Sequence, residues 1–271
     1  MRIASLQPSI SIVLKALGRL DTLCACTRYC IEAIPDLAAG GVAVLHDSWS
    51  ADTAEIVAAQ PDLVIASVPY RLEALAAILK AGLPVLTLAP RSLKDIYTDI
   101  GLIASAVDAR AEGESLVAQM QRAIAETRER RESVKEQPLV YCEEWGKPLI
   151  HSQLWVAELV EAAGGRFLGE PGSHTTAERV AAAEPDVLLF AWCGAGDRVP
   201  LEKVVAQRNW HHLDAVRQRR VHCIPDQFLN TPAQTLLDGL ACIAGAIHPG
   251  LFPAHPGVTT MPLKAAPVAE R

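Results

Sequence analysis

The sequence predicts an α/β chain of two three-layer lobes, each built on a parallel sheet, joined by one long helix. Three observations carry that prediction. "AEIVAAQPDLVIASVP" at Ala54 to Pro69 returns as "AERVAAAEPDVLLFAWC" at Ala177 to Cys193. Strand-like and helix-like runs alternate around both copies, the pattern of parallel sheets covered by helices. Between the copies, "SLVAQMQRAIAETRERRESV" has apolar residues at helical spacing among mixed charges.

Taken in order, "RIASL" reads as a strand, "QPS" as a turn, "ISIVLKALG" as a helix and "TLCAC" as a second strand. The first repeat then opens on "SWSAD", where Ser50 or Asp52 can cap a helix. Pro61 stops that helix, because the residue before a proline disfavours helical backbone. "LVIAS" is a continuous apolar run, as in a strand covered on both faces. "RLEALAAILKAG" is an amphipathic helix stopped by Gly82, followed by the strand "PVLTLAP". The second half repeats the order: strand "LVYCEEW", helix "WVAELVEAAGG", "RFLG", a helix capped by Thr175 or Thr176, strand "VLLFA", helix "PLEKVVAQRNWHHLDAVRQ", strand "RVHCIPD" and helix "TPAQTLLDGLACIAGAIHP". The expected boundaries are a first lobe at 1–92, a linking helix at 93–136, a second lobe at 137–250 and a loose tail at 251–271. The lobes are Rossmann-like, and ligands in such sheets bind outside the carboxyl ends of the strands. A cleft between two facing lobes is the expected small-molecule site.

The 271 residues are 50% hydrophobic and 21% charged, an ordinary globular composition. A formal net charge of −6 argues against nucleic acid or an anionic membrane surface as partner. No apolar stretch approaches the roughly 20 residues that cross a bilayer. Polar residues interrupt the amino-terminal run, so the chain as written lacks a signal-peptide core. That implies a cytoplasmic location, or a periplasmic or surface one if translation starts upstream. The seven cysteines are odd in number, and "CACTRYC" (Cys24, Cys26, Cys30) has neither C-x-x-C spacing nor a following histidine pair. They read as buried small hydrophobes. Fingerprints for dinucleotides, phosphate loops, hydrolase serines and zinc proteases are missing, so no enzyme is expected. The rival is a chelatase-like enzyme using His46, Glu143 and Glu144.

Four of the five tryptophans, Trp49, Trp145, Trp155 and Trp192, fall at or just after predicted strand ends, where aromatic faces suit a flat macrocycle. Trp210 reads as packing. Tyr29 and Asp47 are candidate rim contacts. Pro8 and Ser9 start a helix whose backbone N–H groups can receive an anion, or Ser9 simply caps it. His46, His174, Cys30 and Cys193 are weak metal-ligand candidates.

Two α/β lobes joined by a long helix, with "LQPS" after the first strand and "PDLVI" in the repeat, resemble the helical-backbone (class III) substrate-binding proteins of ABC importers. "HDSWSADTAEIVAAQPDLVI" is most similar to the cobalamin-binding members; ferric-siderophore and haem receptors are similar too. The resemblance implies a corrinoid or another metal chelate as ligand, no resident cofactor, and a monomer that meets a permease. It sets Trp49, with Asp47 and Ser48 beside it, against the ligand. It places Trp145 and Trp155 near the cleft, and Asp226 and Phe228 of "PDQFLNTP" at its edge. It implies that Glu55 and Glu178 dock on permease arginines. A siderophore would call for cleft arginines, for which Arg28 and Arg198 are the candidates.

Overall fold

The computed structural model describes residues 1–46 and 52–262. The chain divides into two compact units, Met1–Arg122 with Thr231–Gln234, and Ala123–Asn230 with Thr235–Arg271.

The first unit contains β1 (Ile3–Ser5), α1 (Pro8–Ala16), β2 (Leu23–Thr27), α2 (Arg28–Ala33), β3 (Ala43–Leu45), α3 (Thr53–Ala58), β4 (Leu63–Ser67), α4 (Leu72–Lys80), β5 (Val85–Leu88) and α5 (Leu93–Ala106). Its sheet is parallel throughout, in the order β3-β2-β1-β4-β5. That is the doubly wound order, whose strand direction of travel reverses between β1 and β4. Ile3, Ala4 and Ser5 of β1 and Val64, Ile65 and Ala66 of β4 are buried, as central strands covered on both faces must be. The returning segment Thr231–Gln234 lies against α1, where the Gln234 Nε2 donates to the Ile12 carbonyl at 3.1 Å.

Helix α6 (Arg110–Arg131) starts in the first unit and ends in the second. The single helix expected over 93–136 is therefore two. Helix α5 ends at Ala106, Asp108 takes a left-handed φ of 51°, and the Ala109 N–H reaches back to the Ala104 carbonyl at 2.9 Å. Neither glycine nor proline marks the break. A Cβ on Gly113 would fall 2.5 Å from the Ala104 Cβ, so the glycine lets α6 lie against α5.

The second unit continues with β6 (Leu139–Gly146), β7 (Leu149–His151), α7 (Leu154–Ala162), β8 (Arg166–Phe167), β9 (His174–Thr175), α8 (Ala177–Ala182), β10 (Val187–Phe190), α9 (Leu201–Gln207), α10 (Asp214–Arg217), β11 (Val221–Cys223), α11 (Asp226–Leu229), α12 (Leu236–Ile247) and β12 (Thr259–Thr260). Its sheet is mixed rather than parallel: β8, β6, β10 and β11 are parallel neighbours, while β7, β9 and β12 add antiparallel edges. The cause lies in "EEWGKPLIH", where β6 runs on through Trp145 and turns back as β7. The expected loose tail also needs correction as far as Pro262. Phe252 and Met261 are buried, and the Met261 N–H donates to the Val221 carbonyl at 2.9 Å.

The duplicated stretches fold alike. The Asp52 carboxylate caps α3 through the Ala54 N–H, and the Thr176 hydroxyl caps α8 through the Arg179 N–H. Gln60 and Glu184, each just before the proline, end those helices with φ of 50° and 47°. The aspartate after the proline then fastens the next strand to the first strand of its unit. Asp62 accepts the Arg2 N–H and Asp186 accepts the Leu139 N–H, both at 2.7 Å. Thus β1 corresponds to β6 and β4 to β10.

Candidate functional site

Each unit presents its strand ends at the switch point. In the first unit these are the segments after β1 and β4, tied where the Gln7 Nε2 donates to the Pro69 carbonyl at 3.2 Å. Pro8 opens α1 there. Ser9 is buried at 6% exposure, facing inward beside Ser67 and Asp99 rather than out at a rim. Burial, with Asp95 nearby, pushes the Asp99 carboxyl up to about 6.

After β2, Tyr29 is half-buried. The Arg28 Nη2 donates to its hydroxyl at 2.8 Å, and the guanidinium carbon lies 4.7 Å from the ring centre. Cys30 is fully buried below, with its Sγ 3.3 Å from the Thr27 Oγ1. Hydrogen bonds from the Cys26 thiol, then Ser11 and Thr27, hold its thiol low. Full burial keeps Cys30 from serving as a ligand to anything bound at the surface. Asp47, Ser48 and Trp49 lie outside the described residues. His46 is exposed, and its backbone N–H donates to the Glu55 Oε2 at 2.9 Å.

The second unit holds the more developed site. Successive side chains of a strand point to opposite faces, so the adjacent Glu143 and Glu144 of β6 enter different surroundings. Glu143 is fully buried and meets four donors. The Arg208 Nη1 and Nη2 donate to its two oxygens at 2.7 and 2.8 Å, the Trp192 Nε1 donates at 2.7 Å, and the Tyr141 hydroxyl donates to Oε2. Paired and fork-bonded, a buried carboxylate is tolerable here as an isolated one would not be. The Arg208 guanidinium also lies 4.9 Å from the Trp210 ring centre. Burial and the Glu143 charge raise the Tyr141 phenol far above its ordinary range.

Trp192 is therefore fixed by its own N–H, just beyond β10. Its ring rests on Gly146, where a Cβ would come 2.5 Å from it. Next to it Trp145 is 44% exposed, with its Nε1 donating to the Lys147 carbonyl at 2.8 Å. On the other face, Glu144 accepts from the Gln153 Nε2 at 2.7 Å, and burial raises its carboxyl. The Cys193 Sγ sits 3.8 Å from the Glu144 Oε1 and accepts from the Asn230 Nδ2 at 3.2 Å. Burial, Glu144 and Asp226 push this thiol up to about 12, which opposes a metal thiolate. Asp226 follows β11 and accepts the Gly194 and Gly196 N–H groups at 2.7 and 3.0 Å, fixing the loop after Trp192. Phe228 is half-buried with its ring edge-on to His255, centroids 5.7 Å apart.

The structure thus sets Trp145 and Trp192 at the ends of β6 and β10, and on the other face of β6 it links Glu144 to Cys193, which precedes the loop that Asp226 holds. Trp155 does not join them: it is 6% exposed within α7, and its Nε1 donates to the Leu229 carbonyl at 2.7 Å. Trp210 is core, as its sequence setting predicts. His174 is exposed on the edge strand β9, and Arg198 is exposed with its Nε on the Ala195 carbonyl at 3.2 Å. No cluster of three or more His, Cys, Asp or Glu side chains suited to a metal occurs among the described residues. Sequence reasoning missed Arg208. The available signal was Glu143 itself, a carboxylate inside an apolar strand that needs a cation.

Glu55 and Glu178 occupy the same first-turn position of α3 and α8. Glu178 is exposed, and its own backbone N–H and the Thr176 hydroxyl lower its carboxyl. No helix among the described residues is long and apolar enough to cross a membrane.

Against known proteins, the sequence profile of the periplasmic binding protein family matches residues 3–228. The chain is 23% identical to an uncharacterized ABC transporter substrate-binding lipoprotein, YvrC of Bacillus subtilis, over 93% of this chain and 81% of that one. A periplasmic heme-binding protein from Pseudomonas aeruginosa superposes with a TM-score of 0.85 at 18% identity, covering 98% of this chain and 99% of that one. The periplasmic vitamin B12-binding protein BtuF of Vibrio cholerae gives 0.72 at 20% identity, covering 91% and 96%. With a family profile that spans both halves and a two-lobe α/β fold shared with these structures, the chain belongs to the periplasmic binding protein family.

Proposed function

We propose that the chain captures a corrinoid or closely related metal chelate between its two lobes and presents it to an ABC permease. One observation carries the reading: Trp192, held by Glu143 at the end of β10, has its ring on Gly146, the residue that follows the exposed Trp145. Held aromatic faces suit a large, flat, largely apolar ligand and lose little side-chain entropy on binding it. Asp226 and Glu144 offer oxygens near the ends of β11 and β6, and Trp49 with Asp47 and Ser48 supplies the first lobe's share. On equivalent helix turns, the half-buried Glu55 and the exposed Glu178 are the carboxylates for permease arginines.

Haem is the second reading. It rests on Tyr29, a residue type that ligates haem iron in some proteins, with Arg28 donating to its oxygen.

The test is a tryptophan-fluorescence titration with cobinamide, cobalamin, hemin and a ferric siderophore. A corrinoid is expected to quench saturably at micromolar or lower concentration, more weakly in Trp49→Ala and Trp192→Ala. Hemin alone quenching, with loss in Tyr29→Phe, replaces the corrinoid by the second reading. No quenching by any of the four defeats both. Glu55→Ala with Glu178→Ala should leave quenching intact and abolish uptake in reconstituted transport.

A further inference from the structure

A recess of about 790 Å³ opens on the second unit beside the start of β11, whereas Asp226 follows the end of that strand. Arg219, Arg220, His222 and Thr260 line one wall, and Ile247 and Leu251 another. Its volume is that of a small-molecule site. Nothing in the corrinoid reading uses it.

Arg220 is half-buried and spends one nitrogen: its Nη2 donates to the Ile247 carbonyl at 2.8 Å, capping α12. Among the described residues no carboxylate comes within 4.0 Å of its guanidinium. Asp186 and Glu136 act on it only through space, and burial lowers its pKa. A half-buried guanidinium with prongs free of protein partners is open to an anion, and buried cations are normally paired. Arg208 shows this chain's ordinary solution, a carboxylate in both prongs of the fork. Beside Arg220, the His222 Nδ1 lies 2.9 Å from the Thr260 Oγ1. Burial, and then the Arg220 charge, push this imidazole down to about 4. The recess therefore offers a guanidinium with free prongs and a neutral imidazole, Arg219 adds a second, exposed cation, and Glu136 and His248 are the other titratable side chains in its lining.

We propose that this recess binds a small organic molecule carrying one phosphate or carboxylate group. The oxyanion takes the unused prongs of Arg220 and lies against His222, and the body of the molecule covers Ile247 and Leu251. The planar guanidinium fork matches two oxygens of a carboxylate or a phosphate in both charge and shape.

The experiment follows the His222 ring signals by NMR through a pH titration of the full chain, with inorganic phosphate or phenyl phosphate as probe. An anion beside an imidazole favours its protonated form, so the His222 midpoint should rise by about one pH unit at saturation. Phenyl phosphate should bind roughly tenfold more tightly than inorganic phosphate, because its ring leaves water for the apolar wall. Arg220→Met should abolish both effects. Arg220→Lys keeps a charge that can cap α12 but loses the fork, and should weaken binding without unfolding. An unmoved His222 midpoint in wild type, or equal binding by Arg220→Lys and Arg220→Met folded variants and wild type, overturns the proposal. Phosphatidylglycerol vesicles identify the source of the group: a shift with them names a lipid headgroup, and a shift with phenyl phosphate alone names a free metabolite.

Discussion

Removing Arg208 should damage the second unit more than removing both partners of its ion pair. Arg208→Met deletes the two hydrogen bonds at 2.7 and 2.8 Å and leaves Glu143, at zero exposure, with only Tyr141 and Trp192 as donors. An uncompensated buried charge of that kind costs about 3–5 kcal/mol. Glu143→Gln keeps an oxygen for Trp192 and Tyr141 and frees Arg208, whose side chain is 10% exposed, to reach water. It should cost less, about 1–2 kcal/mol. In the double variant the charge problem disappears, so its cost should fall below that of Arg208→Met alone. The coupling should then exceed the Glu143→Gln cost itself, about 1–2 kcal/mol. Urea unfolding followed by tryptophan fluorescence reads this unit, because Trp145, Trp155, Trp192 and Trp210 all belong to it. Additive costs, with coupling under about 0.5 kcal/mol, would refute the claim that Arg208 exists to satisfy Glu143. A secondary sign is expected in Glu143→Gln: Trp192 loses a charged acceptor, so its fluorescence maximum and anisotropy should change in the folded protein.

Three further outcomes follow from the packing. Gly239→Ala within α12 should destabilise by about 1–3 kcal/mol, although alanine is the better helix former, because the new Cβ would lie 2.3 Å from the Phe228 carbonyl oxygen; chemical denaturation measures it. Asp62→Ala and Asp186→Ala each remove one 2.7 Å hydrogen bond from a first strand and should each cost about 1–2 kcal/mol, with similar losses of amide-exchange protection at Arg2 and Leu139. His222, held near 4 in the folded chain, binds more protons when unfolded between that value and its ordinary one near 6.5. Stability should therefore fall as pH drops through that window, and His222→Asn should flatten the slope in denaturation series at pH 7, 6, 5 and 4.

The sequence made the central strands legible because their apolar runs are long and their stop signals are chemical. Proline with aspartate after it marks both β4 and β10, and the same residues end α3 and α8. The edge strands were not legible: β9 and β12 are two residues each, too short for any alternation to show. The break between α5 and α6 has a similar explanation, since Asp108 adopts left-handed backbone without a glycine to announce it. At the candidate site, position after a strand end singled out Trp145, Trp192 and Asp226. Whether a tryptophan is held at a surface or sunk into a core depends on partners far away in sequence. Trp155 goes inside because Leu229 waits for its N–H, and Trp192 stays at the strand ends because Glu143 holds it. Arg208 lies 65 residues from Glu143, beyond the reach of any local pattern.

The four residues Thr231–Gln234 make the first unit discontinuous along the chain. A gene fragment that stops after Arg122 therefore encodes an unfinished lobe, with the Ile12 carbonyl deprived of the Gln234 amide. During synthesis the ribosome releases every strand of that lobe long before the piece that completes it. The first lobe reaches its final form only after nearly all of the second has emerged.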